Sequence, residues 1–240
     1  MSISKYNTSV SEVKKFLSDM GLLKSTGIKV INQDDVSGEF KSASQNKDYF
    51  QLYKCALRNF DYDFLLQDDS IFQFSYRFDS TGSNSYIRFA FFQNPQEYKS
   101  YSEFLQYLRE VGYLTDETDE EVGEIYVEDY QQYVSEQAIN TTSTSIRYDF
   151  DPKNYTPSIH SISHMHIGHH NDIRIPCSII LTPIKFCVFV IKHIYYGTWK
   201  YHVESGSAAW KTRIKTSKLH CTKLTPSQWA NQEDEELFLS

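Results

Sequence analysis

Residues 70–79 read Ser-Ile-Phe-Gln-Phe-Ser-Tyr-Arg-Phe-Asp, and from Phe72 onward apolar and polar side chains alternate. A period of two puts successive side chains on opposite faces of a strand. The turn chemistry of Ser80-Thr-Gly-Ser-Asn84 and a second aromatic run, Tyr86 to Phe92, complete a predicted hairpin. On either side the period is helical. Val10, Val13, Phe16, Leu17 and Met20 predict a helix over 9–20, opened by a Ser9/Glu12 capping box and stopped by Gly21. Tyr49, Leu52, Tyr53, Ala56, Leu57 and Phe60 predict another over 47–59, and Tyr101, Phe104, Leu105 and Leu108 a third over 98–111. Between the first two, residues 24–45 are polar and irregular, with a short strand at 28–31.

Further strands are expected over 126–139 and 143–150, and a hairpin at about 160–180. Thr182-Pro183 is a cap followed by proline at the first helical position. Residues 183–196 are apolar nearly all round, so that helix should be central and buried, with Lys185, Lys192 and Tyr196 on one face of it. Thr225-Pro226 should open another helix carrying Trp229, before an acidic tail from Glu233 to Glu236. The fold class is therefore α+β: a largely antiparallel sheet of four or more strands, with N-terminal helices and a buried C-terminal helix packed on it. We expect one domain over 1–240, helical over 1–66, with the sheet, a histidine hairpin and a basic C-terminal lobe in 67–240.

Composition narrows the function classes. With 40% hydrophobic residues in 240, the chain is not disordered, and its net charge of −7 argues against a simple cationic coat for nucleic acid. Cys55, Cys177, Cys187 and Cys221 have no zinc-knuckle or redox spacing, and read as free thiols in a reducing cytosol. The N-terminus has no signal-peptide pattern, and the longest apolar run, Phe186 to Ile191, is too short for a bilayer. The expectation is a cytoplasmic protein with no membrane partner. Asp116 to Asp129 holds eight acids and no base, which suits a solvated connection.

The chemistry concentrates elsewhere. Five of eight histidines lie in one segment, at 160, 164, 166, 169 and 170, followed by Arg174. In a strand His160, Ile162, His164 and His166 share a face. A three-residue turn, His169-His170-Asn171, would set Arg174 opposite His166; a two- or four-residue turn would set it opposite Ile167. Three readings stand. The first is metal-independent phosphodiester cleavage, a ribonuclease in which His164 and His166 move protons and Arg174 steadies the phosphorus-centred charge. The second is a divalent metal held by His164 and His166, with Asp149 or Asp172 as third ligand. The third is a polar hairpin without chemistry. No structural zinc is expected, because no closed four-ligand set exists. Residues 185–223 carry eight lysines and arginines against one acid, Glu204, with Tyr195, Tyr196, Trp199, Tyr201 and Trp210 interleaved. That mixture suits single-stranded RNA. The candidate site is thus His164, His166, Arg174 and Tyr148 for chemistry, with Lys185, Lys192, Arg147 and His160 holding substrate, all in one cleft.

Residues 59–74, Asn-Phe-Asp-Tyr-Asp-Phe-Leu-Leu-Gln-Asp-Asp-Ser-Ile-Phe-Gln-Phe, resemble a prokaryotic family of unknown function, number 2290. So do His164-Met-His166-Ile-Gly168, Arg174-Ile-Pro176 and Leu181-Thr-Pro183-Ile-Lys-Phe186. The family name implies no mechanism. Arg147-Tyr-Asp149 before His164-x-His166 is similar to TumE-type toxins of toxin–antitoxin pairs. That likeness implies a toxin-like or phage-defence effector acting on RNA. A non-catalytic protein that binds an antitoxin or other defence-system partner, a nucleotide or a nucleic acid is the alternative.

Overall fold

The computed structural model describes residues 2–27, 36–77, 85–95, 99–114, 126–140, 144–170, 173–206 and 208–236. The chain gathers into two units, 1–94 with 144–240, and 95–143. The predicted strand at 28–31, the turn at 80–84 and most of the acidic connection lie outside the described residues.

Helix α1 (Ile3–Asp19) opens the larger unit. Seven strands then form one antiparallel meander in chain order: β1 (Leu23–Thr26), β2 (Phe64–Leu66), β3 (Ile71–Arg77), β4 (Tyr86–Phe92), β5 (Ser145–Phe150), β6 (Ser163–Ile167) and β7 (Arg174–Pro176). Helices α2 (Gly38–Ala43) and α3 (Tyr49–Arg58) sit between β1 and β2 in sequence. The smaller unit contains α4 (Tyr101–Glu110) and α5 (Val127–Asn140). After the sheet come β8 (Ile179–Ile180), α6 (Pro183–Ile194), α7 (Tyr196–Glu204), α8 (Ala208–Leu219), β9 (Thr222–Lys223) and α9 (Asn231–Glu236). β8 and β9 pair as a separate ribbon.

The alternation read in the hairpin sorts the sheet into two faces. Phe72, Phe74, Phe89, Phe91, Tyr148 and Met165 point to one side, where the buried side chains of α1 and α6 join them in a single core. Phe186 on α6 meets the rings of Phe72, Phe74 and Phe89. The 183–194 helix is as buried as its sequence predicts. Thr182 caps it, and Ser9 of α1 accepts from the Ile184 amide at 3.0 Å. Ser9 therefore caps another helix, not its own. α1 starts at Ile3 with Ser2 as its cap, because the apolar stripe extends one turn earlier to Tyr6. Gly21, at φ 68°, stops the helix in the left-handed conformation glycine adopts without strain.

Two other expectations change. Residues 126–139 were expected as strand, but α5 is a helix. Tyr130 and Tyr133 lie one turn apart and pack on Tyr101 and Phe104 of α4, so helical spacing outweighs the β preference of tyrosine. Near the C-terminus, Thr225 opens a single turn and α9 begins only at Asn231. There Glu233 reaches back to the Ala230 amide, fixing the start. Glu233 is not part of a solvated tail: it is fully buried, accepting also from Tyr155 and Ser161. No described helix is long and apolar enough to cross a membrane.

Tyr148 anchors α6 to the sheet through a relay. The Leu181 amide donates to its hydroxyl at 3.0 Å, the hydroxyl bonds Ser163 Oγ at 2.8 Å, and Ser163 donates to the Ile179 carbonyl at 2.7 Å. Tyr148→Phe strands a buried amide, so urea unfolding should show a loss of about 1–3 kcal/mol. Unchanged stability would deny the relay its structural role.

Candidate functional site

Among the described residues the second face of the sheet is covered only in part. Phe40, Leu52, Tyr53 and Ala56 of α2 and α3 pack on Leu65, Ile71, Ala90 and Phe92. Beyond them two rows of side chains each cross five strands. Strand pairing sets Gln73, Ala90, Arg147, His166 and Arg174 in one row, and Ser75, Arg88, Asp149, His164 and Pro176 in the next. Directly paired residues project to the same face. The first row, with Ser75 and Arg88 of the second, floors a cleft of about 790 Å³.

The cleft is cationic. Lys41, Arg77, Arg88, Arg147 and Arg174 line it together with His166, His169 and His170, and among the described residues no carboxylate lines it. Asp149 lies beneath, 4% exposed. Arg88 Nε reaches its Oδ1 at 2.8 Å, Arg147 Nε its Oδ2 at 2.7 Å, and the Tyr86 hydroxyl its Oδ1 at 3.1 Å. Burial alone would raise the Asp149 pKa, but the two guanidiniums outweigh it and hold the carboxyl below the usual range. Each arginine uses Nε for this, so its terminal amino groups stay available to a ligand. Arg174 is exposed and has no ion-pair partner among the described residues.

The two central histidines are 3% and 8% exposed. His164 Nδ1 bonds the Ser161 carbonyl at 2.7 Å, which leaves Nε2 with its lone pair. Ser161 is itself held by Glu233, so the C-terminal segment positions this ring. Burial lowers the pKa of His164, against the opposing bond to Ser161 and the pull of Asp149. Burial also pushes His166 down to about 3, with Arg147 adding to the effect and Asp149 opposing it. His169 and His170 serve differently. Their Nε2 atoms bond the carbonyls of Asn46 and Ser44 at 2.9 and 3.2 Å, tying the hairpin tip to the α2–α3 connection.

Of the sequence candidates, His164, His166, Arg147 and Arg174 share this face, and the register pairs Arg174 with His166. His160 stands at its margin, its ring 4.9 Å from that of His164. Tyr148, Lys185 and Lys192 do not join them, and the expectation of one shared cleft is corrected there. Tyr148 is one strand position out of phase with Arg147 and Asp149, and sits in the core. Lys185 and Lys192 ride on α6, which covers the opposite face; Lys185 feels Lys218 and Cys221. The interleaved aromatics divide too: Trp210 stacks on Phe16 and meets Trp199, while Tyr196 and Tyr201 are exposed. Asp172 and Asn171 lie outside the described residues. Sequence reading missed Arg88, Tyr86, Arg77 and Lys41. A signal existed for Arg88: one charge inside the run Tyr-Ile-Arg-Phe-Ala-Phe-Phe must face a polar site or an ion partner.

The chain belongs to the family DUF2290, described as an uncharacterized conserved protein, whose model matches residues 19–238. No curated protein and no solved structure matches. The likeness to TumE-type toxins therefore rests on Arg147, Tyr148, Asp149, His164 and His166 alone.

The depressed histidines set a pH dependence. Their folded pKa lies below the unfolded value of 6.5, so the unfolded chain takes up protons first as pH falls. Stability is fully present above that value and is lost as pH falls toward about 3, where folded His166 protonates. Each such proton adds a slope of up to about 1.4 kcal/mol per pH unit. With chelator present, His166→Gln should flatten the fall in urea-measured stability between pH 6.5 and 4. An unchanged slope would mean that His166 titrates normally.

Proposed function

We propose that this chain is an effector of the toxin or phage-defence kind that holds a phosphate-bearing ligand, RNA or a nucleotide, in the arginine cleft. One observation carries the reading: Arg88, Arg147 and Arg174 converge on a cavity that no carboxylate lines among the described residues, and Asp149 beneath it is already matched by two of them. Guanidinium forks recognise phosphate oxygens in pairs, and such bonds are stronger in a partly enclosed site than in water. Cleavage of a phosphodiester fits the same geometry. In the metal-free protein the neutral imidazole of His166, which lines the cleft, would accept the proton of a ribose 2′-hydroxyl as that oxygen bonds phosphorus; the arginines would neutralise the developing charge; the leaving oxygen would take its proton from solvent.

A second reading, binding without turnover, has its own support. Both buried imidazoles are held toward the neutral form, so neither is a ready acid for the leaving group.

Salt-dependent binding to a single-stranded RNA oligonucleotide tests both. Arg174→Ala should weaken binding roughly tenfold or more, since a charged hydrogen bond is worth about 1.5–3 kcal/mol. It should also reduce the salt slope by roughly 0.7. Lys192→Ala, across the sheet, should change neither. With chelator present, His166→Ala should abolish cutting and leave binding intact. Binding without any cutting selects the second reading. Equal sensitivity to Lys192→Ala and Arg174→Ala would remove the cleft from the account.

A further inference from the structure

Asp149, His164 and His166 are all buried, and their candidate ligand atoms lie within 4.8 Å of one another. His166 Nε2 stands 3.5 Å from Asp149 Oδ2. That is long for a hydrogen bond between a ring nitrogen and a carboxylate. It is close to the edge of a tetrahedron, roughly 3.4 Å for ligands about 2.1 Å from a zinc ion.

The surroundings prepare each group for the same task. His164 donates its Nδ1 proton to the Ser161 carbonyl, the outer partner that metal-bound histidines usually have. Arg88 and Tyr86 bond Asp149 Oδ1, so Oδ2 is shared only between Arg147 and the histidine side. Next to His164, the Nδ1 atom of His160 is buried and has no hydrogen-bond partner among the described residues.

We propose that Asp149, His164 and His166 bind one divalent transition metal of the zinc class. Two imidazoles and a carboxylate match the nitrogen and oxygen preference of such ions. Three protein ligands leave a coordination position open, the arrangement of a reactive site rather than a structural one. His166 lines the cleft, so that position lies on the arginine side. A dication beside Arg88, Arg147 and Arg174 is opposed by their charge unless an anion binds with it. The metal and a phosphate oxygen therefore bind cooperatively, a coupling that rests on the phosphate reading above, whereas metal binding alone does not.

Full-length protein stripped with chelator and titrated with zinc in a calorimeter tests this. One zinc per chain is expected, and His164→Ala and His166→Ala should each weaken it by more than about tenfold. Asp149→Asn should do the same; circular dichroism and a thermal melt report whether each variant is folded, and His164→Ala carries the test if Asp149→Asn is not. Zinc affinity should rise in the presence of the RNA oligonucleotide, by the factor by which zinc raises RNA affinity. Absence of stoichiometric zinc, or zinc retained by folded His164→Ala and His166→Ala, overturns the proposal. If RNA binds equally with chelator and zinc does not bind, the metal site falls and the arginine cleft stands. If zinc binds and RNA does not, the cleft reading falls and the metal site stands.

Discussion

A carboxylate buried on the polar face of the sheet must be matched by positive charge, or the charged form would be too costly to bury. Asp149 meets that demand with Arg88 from the preceding strand and Arg147 from its own. Much of the polar face follows from it. The pairing fixes both guanidiniums at Nε and turns their outer edges to the cleft. It draws Tyr86 into the same network, where burial and Asp149 both raise the tyrosine pKa. It also sets the charge environment of His166.

The two faces of the sheet therefore do different work. One is a dense aromatic layer, with Phe72, Phe74, Phe89 and Phe186 in mutual contact under α1 and α6. It packs one side of β3 to β6. The other face uses those strands to hold charged groups at fixed spacing, which is what recognition of a polyanion requires. The histidine hairpin closes one side of the cleft through His169 and His170 on the α2–α3 connection.

Much of this was legible in the sequence. Period-two alternation in β3 and the apolar run of α6 identify the sheet and its central helix, because each pattern has one low-energy burial. His164 and His166 are a pair on one face by strand geometry alone. What was not legible depended on register. Whether Arg174 opposes His166 or Ile167 turns on one residue of loop length. Tyr148 and Arg147 are neighbours in sequence, yet strand alternation sends one into the core and the other into the cleft. The basic run of 185–223 follows the histidines along the chain, but α6 carries Lys185 and Lys192 to the far side of the sheet. Arg88 reaches Asp149 across 61 residues, a distance no local pattern bridges.

The central claim is that the anion site is the cleft organised by Asp149 rather than the basic α8 surface. Arginine side-chain NMR separates the two. In ¹H–¹⁵N spectra the Nε–H signals of Arg88 and Arg147 should be protected from exchange by their bonds to Asp149. Adding a single-stranded RNA oligonucleotide should shift these and the Arg174 signal, while Arg213, paired with Asp19 on α1, stays unmoved. Shifts confined to Arg213 and the α8 lysines, with Arg88, Arg147 and Arg174 silent, would contradict the account.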